Sequence, residues 1–170
     1  MESILRLEKE EIVKLLRKII IDTNVWAFHL EEEVANMDPA RMPVLNLQLN
    51  EMFGFRQASG IKKMGLITGS GLDAVEQALS YSHWMVLENL RTERPDRNTL
   101  RFGTVDCTVK RAMDALGRKM DCSETGLKIR RSFVEVIDPM ARVTRIFSAA
   151  DEDKRGTDYT CLWEVKLDGQ

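Results

Sequence analysis

The stretch Cys161-Leu162-Trp163-Glu164-Val165-Lys166-Leu167 decides the fold. Cys161, Trp163, Val165 and Leu167 alternate with Leu162, Glu164 and Lys166. That gives a strand one apolar and one mostly polar face, as in a sheet covered on one side. Working back from it, Ala141 to Phe147 reads as a second strand. Thr99 to Cys107 reads as a third, with Leu100, Phe102 and Thr104 opposite Arg101, Gly103 and Val105. Trp84 to Leu90 is predicted as a fourth, joined to it by the polar turn Arg94-Pro95-Asp96-Arg97-Asn98. Two helices fall between the strands. One runs over Lys110 to Leu116 and ends at Gly117. The other runs over Leu127 to Ile137, where Ile129, Phe133, Val136 and Met140 recur at helical spacing before Asp138-Pro139 stops it. Asp151 to Asp158 is a charged surface loop.

Upstream the period is helical. Ile12, Leu16, Ile19, Thr23, Trp26 and Leu30 are spaced alternately by four and three, so one helix is expected from about Leu7 to Val34, with Asp38-Pro39 beyond it. A second helix starts near Met42, because a start at Asp38 would place Pro43 too deep. Leu45, Leu49, Met52 and Phe53 share its face. Thr68-Gly69-Ser70-Gly71 breaks the pattern, and Leu72 to Tyr81 forms a third helix with Leu72, Val75 and Leu79 inward. The expected class is α+β: long N-terminal helices packed on a mainly antiparallel sheet of about four strands. A single domain is expected over residues 1–170, helical over about 7–81 and mixed over about 83–167.

The 170 residues suit one core, and 25 basic against 27 acidic residues leave a net charge of −2, without the basic excess of a polyanion binder. No nucleic-acid partner is therefore expected. No apolar run approaches the roughly 18 residues of a membrane span, so no membrane partner is expected either. Met1-Glu2-Ser3-Ile4-Leu5-Arg6 lacks a signal-peptide layout, which implies a cytoplasmic protein with reduced thiols. The three cysteines are odd in number and cannot all pair within one chain.

The candidate chemistry is spread along the chain. Cys107, Cys122 and Cys161 show neither zinc-ribbon nor Cys-x-x-Cys spacing, and a buried hydrophobic role is the ordinary expectation for each. Cys122 stands at an expected helix start, where a thiolate is favoured, and is the candidate reactive thiol. His29 lies three and four residues before Glu32 and Glu33, a spacing that places imidazole and carboxylate on one helix face as candidate ligands for a divalent metal. His83 reads as a histidine without a role, or a proton shuttle. The amides of Thr68-Gly69-Ser70-Gly71 are a candidate anion site, with a plain turn and a serine cap as the ordinary reading. Arg130 and Arg131 read as a solvated helix face, or as residues facing an acidic ligand.

The chain resembles a group of small cytosolic prokaryotic proteins related to L-2-amino-thiazoline-4-carboxylic acid hydrolase. The likeness spans Leu7 to Leu167. It is carried by Trp26 with Glu31-Glu32-Glu33, Phe102-Gly103-Thr104-Val105-Asp106-Cys107, Cys122, Phe133, Ile137-Asp138-Pro139 and Cys161-Leu162-Trp163-Glu164-Val165. That group tends to carry a further cysteine where this chain has Ser148. The resemblance implies a thiol or metal site in which Cys107, Cys122 and Cys161 converge, with His29 or Asp106 added, and in which Ser148 removes one ligand. A weaker likeness, to small-molecule sensing domains related to vinyl-reductase and vesicle-tethering proteins, implies an apolar ligand pocket between helices and sheet.

Two functions follow as expectations. The first is a small-molecule-binding or sensor-like domain, with Trp26, His29, Cys161 and Trp163 as ligand-binding positions. It would be a homodimer through the broad apolar stripe of the first helix. The second is a hydrolase that opens a cyclic sulfur-containing amino acid, with Cys107 and Cys122 catalytic. A divalent metal, held by His29, Glu33, Cys107 and Cys122, would be its possible cofactor.

Overall fold

A computed structural model describes residues 8–151 and 156–168. The elements run α1 (Lys9–Met37), α2 (Met42–Lys63), α3 (Gly71–Ser80), α4 (His83–Leu87), β1 (Leu90–Asp96), β2 (Thr99–Thr104), α5 (Thr108–Ala115), α6 (Ser123–Ile137), β3 (Ala141–Phe147) and β4 (Cys161–Leu167). The class is α+β. The chain divides into two compact units, residues 1–45 and 46–170, at a point inside α2.

In the first unit, α1 opens with the Glu8 amide donating to the Glu11 carboxylate at 3.0 Å and ends just before Asp38-Pro39. The apolar stripe read from its sequence is exposed at Leu16, Ile19, Trp26 and Leu30. No helix of the described residues is long and apolar enough to cross a membrane.

The second unit is built on one antiparallel sheet of order β1-β2-β4-β3. The alternation in residues 161–167 holds as read: Cys161, Trp163 and Val165 join Leu100, Phe102, Ala141 and Val143 in the main core. Phe133, Val134 and Ile137 of α6 and Leu72, Val75 and Leu79 of α3 complete that core from the helical side. The opposite face of the sheet is polar where Arg101 and Lys166 hold the Glu164 carboxylate, at 3.1 and 2.8 Å. A small apolar group of Phe147, Tyr159 and Leu162 covers one part of it. The ladder shifts register between Arg145 and Phe147, so Arg145 pairs with Trp163 while Phe147 pairs with Leu162 on the other face.

Several expectations are corrected. Residues 84–87 are helical, not a strand. The Met85 and Val86 amides donate to the Ser82 carbonyl, and the turn drives Trp84 into the core. The short apolar run fits helix and strand equally well by composition, and the turn after it decides. That turn passes through Asn89 at φ 48°, a left-handed conformation that asparagine tolerates. β2 stops at Thr104, freeing Cys107 to open α5, and α6 begins at Ser123, four residues ahead of Leu127.

The face of α2 also differs from the reading. Leu49, Met52 and Phe53 are exposed, and the buried residues are Gly54, Ala58 and Ile61. A Cβ at Gly54 would lie 2.2 Å from the Ile129 carbonyl oxygen and 2.3 Å from Ser132 Oγ. Small residues, not large ones, let α2 and α6 approach. The Thr68–Gly71 break is closed within the fold as well: the Gly71 amide donates to Asp138 Oδ2 at 2.7 Å, and Ser70 makes no side-chain cap bond. Asp138 thus takes the amide expected for an anion. Residues 152–155 of the charged loop lie outside the described residues.

Candidate functional site

Every strand brings one terminus to the same end of the sheet. Leu90 begins β1 opposite Thr104, the last residue of β2. Thr104 pairs with Cys161, the first residue of β4, and Phe147 at the end of β3 pairs with Leu162. The first turns of α5 and α6 carry Cys107 and Cys122 as their N-caps.

Arg130 is the centre of this end. It follows the buried stripe Gly126, Ile129, Phe133, Val134 and Ile137, so the helix turns its guanidinium inward, where the residue is 6% exposed. The guanidinium carbon lies 4.9 Å from the Trp84 ring centroid and 4.5 Å from that of Trp163. Cation–π attraction to two indoles offsets part of the cost of removing a cation from water. Nη1 donates to the Gly126 carbonyl at 3.1 Å and Nη2 to Cys161 Sγ at 3.7 Å. Nε is buried without an acceptor. Gly126 makes the arrangement possible: a Cβ there would stand 3.1 Å from the Trp163 ring and 3.3 Å from Arg130 Nη1.

Cys161 touches this cation, whose charge is felt by the Cys122 thiol and the Glu88 carboxyl. Cys161 Sγ accepts from the Trp163 indole at 3.3 Å and lies 3.2 Å from the Thr104 hydroxyl. Cys107 Sγ accepts from the Lys110 amide at 3.4 Å and donates to Glu88 Oε1 at 3.9 Å. The Thr108 hydroxyl donates to the same Glu88 oxygen at 3.4 Å. Cys122 is half-buried, and the neighbouring Ser123 hydroxyl lies 3.1 Å from Ser148 Oγ. Ser148, fully buried, accepts at its hydroxyl from the Ala150 amide at 3.3 Å. The Ser148 position therefore adjoins the Cys122 segment.

Burial shifts Cys107, Cys122, Glu88 and His83 toward their neutral forms. Burial pushes the Cys107 thiol up to about 12, assisted by the Glu88 carboxyl and by the two neighbouring thiols. Burial also raises Cys122, outweighing the Ala149 amide and the Arg130 cation that favour its thiolate. The expected activation at a helix start is overridden, because desolvation at this helix exceeds the pull of the helix terminus. Glu88 is raised by burial despite Arg130 and its two donors. His83 is lowered to about 3, first by burial and then by Arg130. Its ring lies 3.0 Å from Gln57 Oε1 and packs on Phe53 and Trp84, with centroids 5.0 and 4.4 Å away.

Of the residues singled out in the sequence, Cys107, Cys122, Cys161 and Trp163 belong to this one end. Trp26, His29 and Glu33 lie on α1 in the first unit, and all three are exposed. The His29 imidazole is 3.8 Å from Glu32, its neighbour three residues on. Among the described residues, no group of three or more His, Cys, Asp or Glu side chains could hold a metal ion. Arg130 is not on a solvated face as its ordinary reading had it. Its place on the Gly126–Ile137 stripe was the available signal. Glu88 and Trp84 had none that a short apolar run could supply, and His83 is a half-buried ring at the start of α4, not a loop residue.

No curated protein matches the sequence. A family model matches residues 6–167, and the chain belongs to that family, a family of unknown function (DUF6125).

Proposed function

We propose that the protein is a small-molecule-binding, sensor-like domain whose recognition centre is the closed end of the sheet around Arg130. The observation that carries this reading is a buried guanidinium whose Nε–H has no acceptor. A fold that merely needed filling would place an apolar side chain there at lower cost. The thiols suit recognition better than covalent chemistry, since a nucleophile must be a thiolate, and Cys107 is pushed up to about 12. The alternative is a hydrolase similar to the L-2-amino-thiazoline-4-carboxylic acid enzyme. It would need that thiolate or a metal-activated water, and would lose activity in Cys107→Ala and Cys122→Ala. All three cysteines are free, which fits the reducing cytoplasm.

The test is a thermal-shift screen of the purified chain against a panel of cationic, neutral and anionic metabolites. A binder raises Tm in a saturable way, and a panel with no binder rejects the reading. We further infer a homodimer through α1, on the strength of its exposed Leu16, Ile19, Trp26 and Leu30. Light scattering that returns a monomer mass at high concentration rejects the dimer.

A further inference from the structure

Resting on the binding reading above, we propose that the closed end of the sheet takes the carboxylate of a small organic acid. One carboxylate oxygen accepts from the Nε–H of Arg130, and the apolar body of the acid lies against the indoles of Trp84 and Trp163. Donor geometry supports this first. Each Nη of Arg130 spends one N–H, on the Gly126 carbonyl and on Cys161 Sγ, while Nε–H is buried without an acceptor. The guanidinium lies over the Trp84 and Trp163 rings, and its N–H donors point within its own plane, where a planar carboxylate meets them.

Charge supports it second. Among the described residues, no carboxylate lies within ion-pair distance of Arg130. Burial pushes both Glu88 and His83 toward their neutral forms, which weakens Glu88 as a counter-charge to the single positive charge of Arg130. A monoanion matches that charge, whereas a phosphate dianion overshoots it in a place where unbalanced charge is expensive.

The experiment titrates the full chain with propionate and benzoate, and separately with propionamide, benzamide, propylammonium and inorganic phosphate at equal ionic strength. Tm and tryptophan fluorescence are read together. Saturable binding of the acids is expected, with each amide at least about tenfold weaker than its acid. Arg130→Lys, which keeps the charge and loses the Nε–H edge, is expected to weaken the acids by at least about tenfold. If that variant does not fold, acid against amide in the unaltered chain decides alone. Equal binding of acid and amide, or preference for phosphate, overturns the proposal. If neither acid binds while a neutral or cationic compound of the wider panel does, the carboxylate is wrong and the binding reading stands. A panel without any binder overturns both.

Discussion

Two arginines stand at opposite ends of the same sheet, and the fold treats them differently. At the hairpin end, Arg94 donates from Nε to Glu76 at 2.9 Å and from Nη2 to Asp73 at 2.7 Å, with Thr92 donating to the same Glu76 carboxylate at 2.8 Å. Its partners come from α3, its side chain is 27% exposed, and its charge is answered within the chain. At the other end, Arg130 is buried more deeply and receives two indole faces, a carbonyl and a sulfur, but no carboxylate. A charge answered locally is a structural brace. A charge desolvated without a carboxylate in contact is costly to keep.

The largest effect is expected where the closed end loses a wall. Trp163→Ala removes one face of the Arg130 sandwich and a fully buried ring. It should cost about 3–5 kcal/mol in chemical denaturation. A loss below about 1 kcal/mol would mean that this end is not packed as described.

Next comes a pH effect. His83 titrates near 6.5 when unfolded and near 3 when folded. Between those values the unfolded chain binds more protons, so stability falls as pH drops through that window, at about 1 kcal/mol per pH unit. Glu88, raised in the fold, acts oppositely as pH rises from its ordinary range, so the comparison must be made against a variant. His83→Gln should lose the His83 part of the slope, and an unchanged slope would place the histidine in water.

The smallest effects test the two arginines directly. Arg94→Met should destabilise by at most about 1 kcal/mol, since its pairs are partly exposed. Arg130→Met should leave the protein no less stable than before, because the variant relieves a buried charge and leaves no carboxylate without its ion-pair partner. If Arg130→Met costs more than Arg94→Met, Arg130 is a brace too and the contrast collapses.

The sheet was legible wherever one face is apolar and the other polar. β3 and β4 have the bounds their alternation predicts, and the inward residues of α3 are those read from its spacing. Legibility failed where size, not polarity, sets the packing. The α2 face is chosen by Gly54 and Ala58, which weigh little on any hydrophobic scale. It failed again at residues 84–87, where one turn of helix precedes a strand and periodicity has too little length to act. The site was half legible. The three cysteines drew notice as rare residues, but the only local mark of Arg130 is its place on the buried stripe of α6. Its burial depends on Gly126 and on indoles from positions 84 and 163, contributed by two other elements.

The strand order has a consequence for how the site comes into being. β4 lies between β2 and β3, so the segment made last among the strands is an inner one. While the ribosome is still adding residues 161–167, β2 and β3 have no common partner, and Arg130 lacks both the ring of Trp163 and the sulfur of Cys161. A nascent chain can form the β1–β2 hairpin and its helices early, because those contacts are local. It cannot form this end of the sheet in parts. The surroundings of Arg130 are completed in one step, with the closing strand, and a chain cut short before residue 161 would lack the Trp163 ring and the Cys161 sulfur however well its helices had formed.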